Sequence, residues 1–331
     1  MTMVIPLTSL ISLTSLTPYS AFTFLTPLLV GAALALTGCA STGHLPPEPS
    51  QASEAPSPMT AADSAITAFS SARTGEALPG QWQPFLLTPN KKKTRWRIER
   101  PIPWDAALDT APGMARKWLP TVDGPAALTQ RGLLPERDEL RRVSNTAGPD
   151  PVPSPALALR GDAEQAASGI AHPVGRVIAP NERLQWDWRI DLPPSDADPG
   201  DRSREDSAMR VALSFSGDRS QMPARELMLS DLSQALTGNE IPYATLVYVW
   251  APERELGEIV IDPRTTRVRS IVVGNQTTPM RTWLRTRRDV AADFAEVFGE
   301  PPGPLKGIAL FVDADHTESR AIGWYGDLSL R

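Results

Sequence analysis

Apolar and polar residues alternate without a break over Leu184-Gln185-Trp186-Asp187-Trp188-Arg189-Ile190-Asp191. Successive side chains of a β-strand point to opposite faces, so every second residue shares a face. One face of this strand is therefore apolar, with Leu184, Trp186, Trp188 and Ile190. The pattern predicts a strand that packs this face, including both tryptophans, on a hydrophobic core and turns its polar face outward.

The carboxy-terminal half of the chain continues the strand pattern. Val211, Leu213 and Phe215 alternate after Arg210, and the run 244–250 is apolar on both faces, which predicts a central, covered strand. Further strands are predicted at 258–261, 268–273, 307–312 and 322–330. Turn signals such as Asp262-Pro263 separate them. Residues 76–331 are therefore predicted to form a mostly β domain, an antiparallel, jelly-roll-like β-sandwich.

Two or three short helices are predicted within this domain. In 225–236, Leu229, Leu232 and Leu236 have helical spacing, and Gly238 can end the helix. In 288–298 an apolar stripe ends at Gly299; its residues are Val290, Phe294, Val297 and Phe298. A third short helix is predicted at 135–143, inside an irregular insertion at about 101–155.

The amino-terminal segment has the character of an export signal. Residues 1–38 contain no Asp, Glu, Lys or Arg, and their apolar part is shorter than a ~20-residue membrane span. It ends in Leu36-Thr37-Gly38-Cys39, which resembles the lipobox of bacterial lipoproteins. We predict that 1–38 is removed and that Cys39 carries lipid. The lack of Lys or Arg ahead of the apolar run is atypical, and the alternatives are an ordinary cleaved signal or a transmembrane anchor.

Lipidation would place the chain in the bacterial cell envelope, in contact with a membrane through Cys39. Ala40 follows the cysteine, and resemblance to Gram-negative sorting rules implies the periplasmic face of the outer membrane. The segment 39–75 is rich in Pro, Ser and Ala and is predicted to be a flexible tether. Cys39 is the only cysteine, which excludes an intrachain disulfide and a thiolate zinc site.

Six short motifs occur in a fixed order along the domain. They are Trp186-Asp187-Trp188-Arg189, Glu205-Asp206 through Arg210-Val211, Tyr248-Val249-Trp250-Ala251, Arg288-Asp289-Val290 through Asp293, Phe298-Gly299-Glu300-Pro301 and Asp313-Ala314-Asp315-His316-Thr317. With the stretch 166–170, they resemble the bacterial domain of unknown function 3047, over about residues 80–331. The resemblance implies an exported, mostly β domain similar to jelly-roll carbohydrate-binding modules, and it assigns no function. His316 and Asp289 stand where the family usually has Asn, and the 101–155 insertion is particular to this chain.

The candidate functional residues are polar side chains at strand ends. Asp313 and Asp315 are predicted to share a face at the end of one strand, where two carboxylates can share a cation or hold a pair of sugar hydroxyls. The full candidate cluster is Arg189, Asp206, Arg210, Asp313, Asp315 and Thr317. A structural ion-pair network is the alternative interpretation. No recognised metal or cofactor motif occurs, so none is predicted.

Aromatic and basic residues give two further predictions. Trp250 and Trp324 lie nearer strand ends than the core tryptophans and are candidate contacts for a sugar ring. In the basic run 91–97, Lys93, Arg95 and Arg97 are predicted to point outward from a charged edge strand. Export excludes nucleic acid as their partner and leaves phosphorylated lipid headgroups as a weak candidate.

The sequence lacks the common signatures of enzymes. It contains no Gly-x-Ser-x-Gly or His-Glu-x-x-His motif and only three histidines, His44, His172 and His316. We therefore predict a noncatalytic binding or accessory module for an envelope glycan or an envelope protein. The alternatives are a carboxylate-dependent glycan hydrolase using Asp313, Asp315 or Asp206, and a purely structural part of an envelope complex.

Overall fold

A computed structural model describes residues 66–75, 78–85, 91–102, 143, 147–237 and 241–331. Cys39, the predicted signal peptide, residues 39–65 of the predicted tether, Gly238 and most of the 101–155 insertion, with its predicted helix, lie outside the described residues. Within the described part, no helix is long and apolar enough to cross a membrane.

Sheet A has seven strands. In spatial order they are β1 (Gln83–Phe85), β5 (Ala167–Arg176), β12 (Leu305–Asp313), β7 (Ser207–Phe215), β8 (Ala244–Trp250), β10 (Val268–Gly274) and β9 (Ile259–Ile261). All neighbours are antiparallel except β8 and β10, which are parallel. Strand β9 runs opposite to β8, and the chain then turns back, so β10 runs in the direction of β8. Strand β10 lies between β8 and β9 in the sheet. The parallel pair of β8 and β10 departs from the all-antiparallel prediction.

Sheet B has six antiparallel strands. In spatial order they are β2 (Arg95–Glu99), β4 (Ala158–Glu164), β13 (Arg320–Leu330), β6 (Arg183–Leu192), β11 (Leu284–Asp289) and β3 (Asp150–Pro151). The basic strand β2 lies at an edge, as its alternating charges predicted. Strand β4 was not predicted, because it is short of large apolar residues and its Asp162 is buried.

The two sheets pack face to face around one main core, which confirms the mostly β sandwich. The apolar face of β6 is buried as predicted, and the ring of Trp186 stacks on Tyr248 of sheet A with centroids 5.2 Å apart. Strand β8 is buried on both faces, since Val247 and Val249 belong to a second apolar cluster outside the main core.

The two α-helices in the described residues are α1 (Ala224–Thr237) and α2 (Val290–Phe298). Helix α2 follows the predicted apolar pattern, and helix α1 does not. Asp289 ends β11 and caps α2 by accepting a hydrogen bond from the Ala292 N–H (3.0 Å), so the helix begins at Val290, two residues later than predicted. Gly299 ends it at φ 78°, the left-handed conformation that glycine adopts without strain. The three apolar residues on its inner face, Val290, Phe294 and Val297, are buried as predicted.

The apolar stripe predicted for α1 is wrong at Leu232, whose surface is 51% exposed. The buried face of α1 carries Glu226 and Ser230. Glu226 accepts hydrogen bonds from the Thr265 hydroxyl (2.7 Å) and the Thr266 N–H (3.1 Å). These bonds satisfy the carboxylate, so a polar face of the helix can pack on the domain.

The predicted tether extends too far toward the domain. Phe69, in a 3-10 helix at Phe69–Ser71, is fully buried, and its ring centroid lies 5.1 Å from that of Trp82. The Ser70 N–H donates to Asp327 (2.9 Å), and the Thr67 N–H donates to the His172 Nε2 (3.3 Å). Residues 66–75 therefore pack as part of the domain.

Candidate functional site

A carboxylate cluster forms where β7 begins and β12 ends. These antiparallel strands are neighbours, with Ser207 opposite Asp313, so the residues before β7 and after β12 meet at the same end of sheet A. We define the carboxylate cluster by its five members: Glu205, Asp206, Asp313, Asp315 and His316.

Asp206 holds the turn that follows β12. Its side chain is completely buried and accepts hydrogen bonds from the backbone N–H groups of His316 (3.2 Å) and Thr317 (2.7 Å) and from the Thr317 hydroxyl (2.6 Å). Donors to both of its oxygens compensate the loss of water around the carboxylate. Asp206 thereby fixes Asp315 and His316 beside itself.

Asp313 and Arg210 form a buried pair next to this turn. Asp313 accepts a hydrogen bond from the Ser207 N–H (2.8 Å), and its second oxygen lies 3.1 Å from Arg210 Nη1. Burial raises the pKa of Asp313 to about 7, although the charge of Arg210 acts in the opposite direction. Arg210 also donates to the backbone carbonyl of Glu205, which ties the pair to the start of the cluster.

Asp315 and His316 complete the cluster on its more open side. Lys91 Nζ lies 2.8 Å from Asp315 Oδ2. Burial opposes ionisation of Asp315, but the hydrogen bond from Lys91 and the charge of His316 lower its pKa below the usual range. His316 Nδ1 lies 3.3 Å from Asp315 Oδ1 and 3.5 Å from Asp206 Oδ1. On the other side of the ring, Nε2 lies 3.4 Å from Arg264 Nη2 and 3.8 Å from Glu205 Oε1.

Five of the six residues predicted to form a site lie together at this end of sheet A, and the sixth, Arg189, lies elsewhere. The five are Asp206, Arg210, Asp313, Asp315 and Thr317. Arg189 lies on the outer face of sheet B, where its Nε donates to Asp191 and its Nη1 donates to the Ile102 carbonyl (3.1 Å). Alternation placed Arg189 on the correct face of its strand. It gave no information on which sheet the strand would join.

The prediction that Trp250 and Trp324 contact a sugar ring is corrected by their burial. Their surfaces are 1% and 2% exposed, so neither ring offers a face to a ligand. Trp250 packs in the main core and donates its Nε1–H to the Asn275 carbonyl (3.0 Å). Trp324 packs under Arg160 and Arg189 and donates to Asp191 (2.7 Å). Proximity to a strand end did not expose either ring.

A second polar site, the arginine pocket, lies on the outer face of sheet B. It is a pocket of about 280 Å³ lined by Arg95, Arg97, Arg160, Asp162 and Arg320. Strand register brings these residues together, because β2 pairs with β4 and β4 pairs with β13. The sequence prediction found only Arg95 and Arg97, since adjacency to β4 and β13 cannot be read from the chain.

One carboxylate lies at the centre of the arginine pocket. Arg320 donates two hydrogen bonds to Asp162 (3.0 and 2.8 Å), while Arg160 and Arg95 approach it at 3.3 and 3.4 Å. Burial opposes ionisation of Asp162, but the hydrogen bond from Arg320 and the surrounding positive charges lower its pKa. The carboxylate therefore stays negative and neutralises only part of the charge around it.

Two more carboxylates lie at the margin of the pocket. Arg160 donates to Glu99 (3.2 Å), and Arg95 lies 3.6 Å from Glu164. No described residue forms an ion pair or hydrogen bond with the Arg97 side chain, which is exposed. The pocket therefore retains guanidinium donors that face solvent.

Comparison with known proteins identifies the family of the chain and assigns it no function. The model of the family described as "Protein of unknown function (DUF3047)" matches residues 153–329, more than half of the 331-residue chain. The chain belongs to this family. The DUF3047 match contains the carboxylate cluster but begins after β2, so it covers less of the chain than the predicted range 80–331.

The other comparisons add no functional assignment to the DUF3047 domain. None of the curated proteins compared with the chain is significantly similar to it. Among solved structures, the K1 cleaved adhesin domain of Lys-gingipain (Kgp) from Porphyromonas gingivalis W83 is similar with 9% identity and a TM-score of 0.28. That alignment covers 80% of this chain and 95% of the adhesin domain. At this TM-score the likeness supports no conclusion about fold or function.

Proposed function

We propose that this DUF3047 protein is a noncatalytic envelope module that binds an acidic glycan in the arginine pocket. The observation that carries the proposal is the set of four guanidinium groups around a single lining carboxylate. Guanidinium groups present paired N–H donors that match the two oxygens of a carboxylate or phosphate. The pocket of about 280 Å³ lies just below the roughly 300–1,000 Å³ of small-molecule sites, so it can hold no more than about one sugar unit of a glycan.

The hydrolase alternative has less support from the geometry. Asp206 and Asp313 are buried, and their oxygens are occupied by hydrogen bonds or by Arg210. A glycosidase needs two carboxyl groups that reach the same glycosidic bond. The burial of Asp206 and Asp313 favours a role in holding the strand ends together.

The proposed location is the periplasmic face of the outer membrane, with lipid on Cys39. Support comes from the uncharged segment 1–38 and from the lipobox-like Leu36-Thr37-Gly38-Cys39. Mass spectrometry of the mature amino terminus should show cleavage before Cys39 and the mass of acyl chains. A mature chain that begins elsewhere, or an unmodified cysteine, would contradict the anchor.

Glycan binding can be tested by affinity gel electrophoresis of the Cys39→Ala chain, whose lack of lipid prevents attachment through the anchor. We expect gels containing a uronic-acid or phosphate-bearing polysaccharide to retard the protein, and gels containing a neutral glucan to leave its mobility unchanged. Retardation should weaken as salt is raised, because exposed charges are screened.

The variants Arg97→Gln and Arg320→Gln should reduce the retardation. Arg287→Gln is the matched control, since it removes the same charge from an exposed position on β11 of the same sheet. Equal loss in all three variants would mean that net charge, and not the pocket, causes the retardation. Binding to acidic phospholipid vesicles without retardation by any polysaccharide would overturn the proposal in favour of lipid headgroups.

A further inference from the structure

The carboxylate cluster contains three atoms placed as ligands of one metal ion. An oxygen of Asp206, an oxygen of Asp315 and a ring nitrogen of His316 lie within 4.8 Å of one another. The two separations from His316 Nδ1 are 3.3 Å and 3.5 Å. Two ligands about 2.1 Å from a tetrahedral zinc ion are roughly 3.4 Å apart, so both separations match edges of such a site.

Two of these atoms are buried without a hydrogen bond. Asp315 Oδ1 and His316 Nδ1 have no hydrogen-bond partner among the residues that the structure describes, and the Asp315 side chain is only 4% exposed. Buried polar atoms are normally paired, because water that they lose must be replaced. These two face each other, so a single ion between them would satisfy both.

The remaining contacts hold the ligand atoms in place. Backbone N–H groups of the turn fix Asp206, and Lys91 fixes the second oxygen of Asp315. Binding through Nδ1 puts the histidine proton on Nε2, so the Arg264 guanidinium, which lies 3.4 Å from Nε2 without a metal, must turn away toward Glu205, which it already contacts. Glu205 Oε1, at 3.8 Å, is then the carboxylate next to that proton. A carboxylate behind a metal-bound histidine is a common outer contact of such sites.

The side chains around the site carry more negative than positive groups, which favours binding of a cation. Its carboxylates are Glu205, Asp206, Asp313 and Asp315, and its cationic side chains are Lys91, Arg210 and Arg264. With all four carboxylates ionised the negative charges exceed the positive ones by one, and because the pKa of Asp313 is about 7 this excess is complete only above neutral pH. His316 is partly exposed, which gives an ion a path to the site.

From these four observations we propose that Asp206, Asp315 and His316 bind one Zn²⁺ ion, with a fourth position left for water or a ligand atom. A mixed imidazole and carboxylate set favours zinc over calcium and magnesium, which prefer oxygen ligands alone. This site lies at the end of sheet A. It is separate from the arginine pocket and does not depend on the proposed glycan binding.

Isothermal titration of Zn²⁺ into the chelator-treated full chain tests the proposal. We expect one ion per chain, with weaker binding of Mn²⁺ and weaker still of Ca²⁺. Zn²⁺ should also raise the melting temperature, and Co²⁺ should give the visible absorption of a four-coordinate site. Absence of binding heat for Zn²⁺, or several weak ions per chain, would overturn the proposal.

His316→Asn and Asp315→Asn should each weaken Zn²⁺ binding at least tenfold and abolish the rise in melting temperature. His44→Asn is the matched control, because it removes a histidine from the predicted tether. Should Asp315→Asn fail to fold, His316→Asn decides alone, since its ring is partly exposed. Wild-type affinity in His316→Asn would show that zinc binds elsewhere and would reject the site.

Discussion

Arg288 and Asp293 form a buried ion pair at the junction of β11 and α2. Arg288 Nε donates to Asp293 Oδ2 at 2.8 Å, and the two side chains are 3% and 5% exposed. The Tyr248 hydroxyl donates to the same oxygen at 2.7 Å. One carboxylate therefore connects a strand of each sheet with helix α2.

Replacing Asp293 with Asn should destabilise the domain severely. The variant removes the negative charge that Asp293 places against the buried Arg288 guanidinium, and breaking a buried ion pair typically costs about 3–5 kcal/mol of unfolding free energy. Urea denaturation followed by tryptophan fluorescence measures the change. Asp289→Asn is the control, because asparagine caps a helix as well as aspartate does, and it should cost less than about 0.5 kcal/mol. Equal losses in the two variants would show that the buried pair has no special role.

Replacing Phe69 with Ala should show that residues 66–75 belong to the domain. Truncating a fully buried phenylalanine usually costs about 3–5 kcal/mol, through lost burial and the cavity left behind. The exposed Val177 provides the control, and Val177→Ala should change stability by less than about 0.5 kcal/mol. A Phe69→Ala variant as stable as the control would show that residues 66–75 do not stabilise the domain and belong to the tether, as first predicted.

Replacing Gly169 with Ala should disturb the pairing of β5 with β12. A Cβ at Gly169 would lie 2.6 Å from the Leu310 carbonyl oxygen and 2.6 Å from the Phe311 ring, so a strand or ring must shift. Overpacking of this kind costs about 1–3 kcal/mol. At Gly148 the nearest atom to a Cβ is 3.6 Å away, and Gly148→Ala should be neutral or slightly stabilising. Equilibrium unfolding of both variants decides whether close approach at Gly169 matters.

His172 should make stability fall as the pH drops below about 6.5. Burial lowers the pKa of His172 from its usual 6.5, although its hydrogen bond to the Pro173 carbonyl acts in the opposite direction. The unfolded chain takes up a proton near pH 6.5 while the folded ring stays neutral, so the folded state is favoured above that pH. This contribution to the unfolding free energy is lost as the pH falls toward the pKa of His172 in the folded state, by at most about 1.4 kcal/mol per pH unit.

The His172→Gln variant isolates this contribution. It removes the titrating group, so its unfolding free energy should fall less steeply than that of the wild type between pH 6.5 and 5. Urea unfolding at several pH values measures both slopes. Parallel slopes would mean that other groups, such as the carboxylates, account for the acid sensitivity.

The spacing of apolar residues predicted the secondary structure where one face of a strand or helix is apolar. Strand β6 and the inner face of α2 were found this way, because burial of large side chains imposes the period of the element on the sequence. It failed for Leu232 on α1, where hydrogen bonds to Glu226 let a polar face become the buried one. The nearness of Trp324 to a strand end also misled, because the covering of its ring by Arg160 and Arg189 depends on neighbouring strands.

Residue order alone predicted the family, the mostly β class and the strand faces on which Arg189 and Arg210 lie. These properties depend on residue order and on the period of a strand, which are local. The sequence did not predict that Asp206 and Asp315 both lie beside His316 while Arg189 lies on the other sheet. The order of strands in a sheet determines which residues become neighbours, because hydrogen bonds between strands join residues that are far apart in the chain.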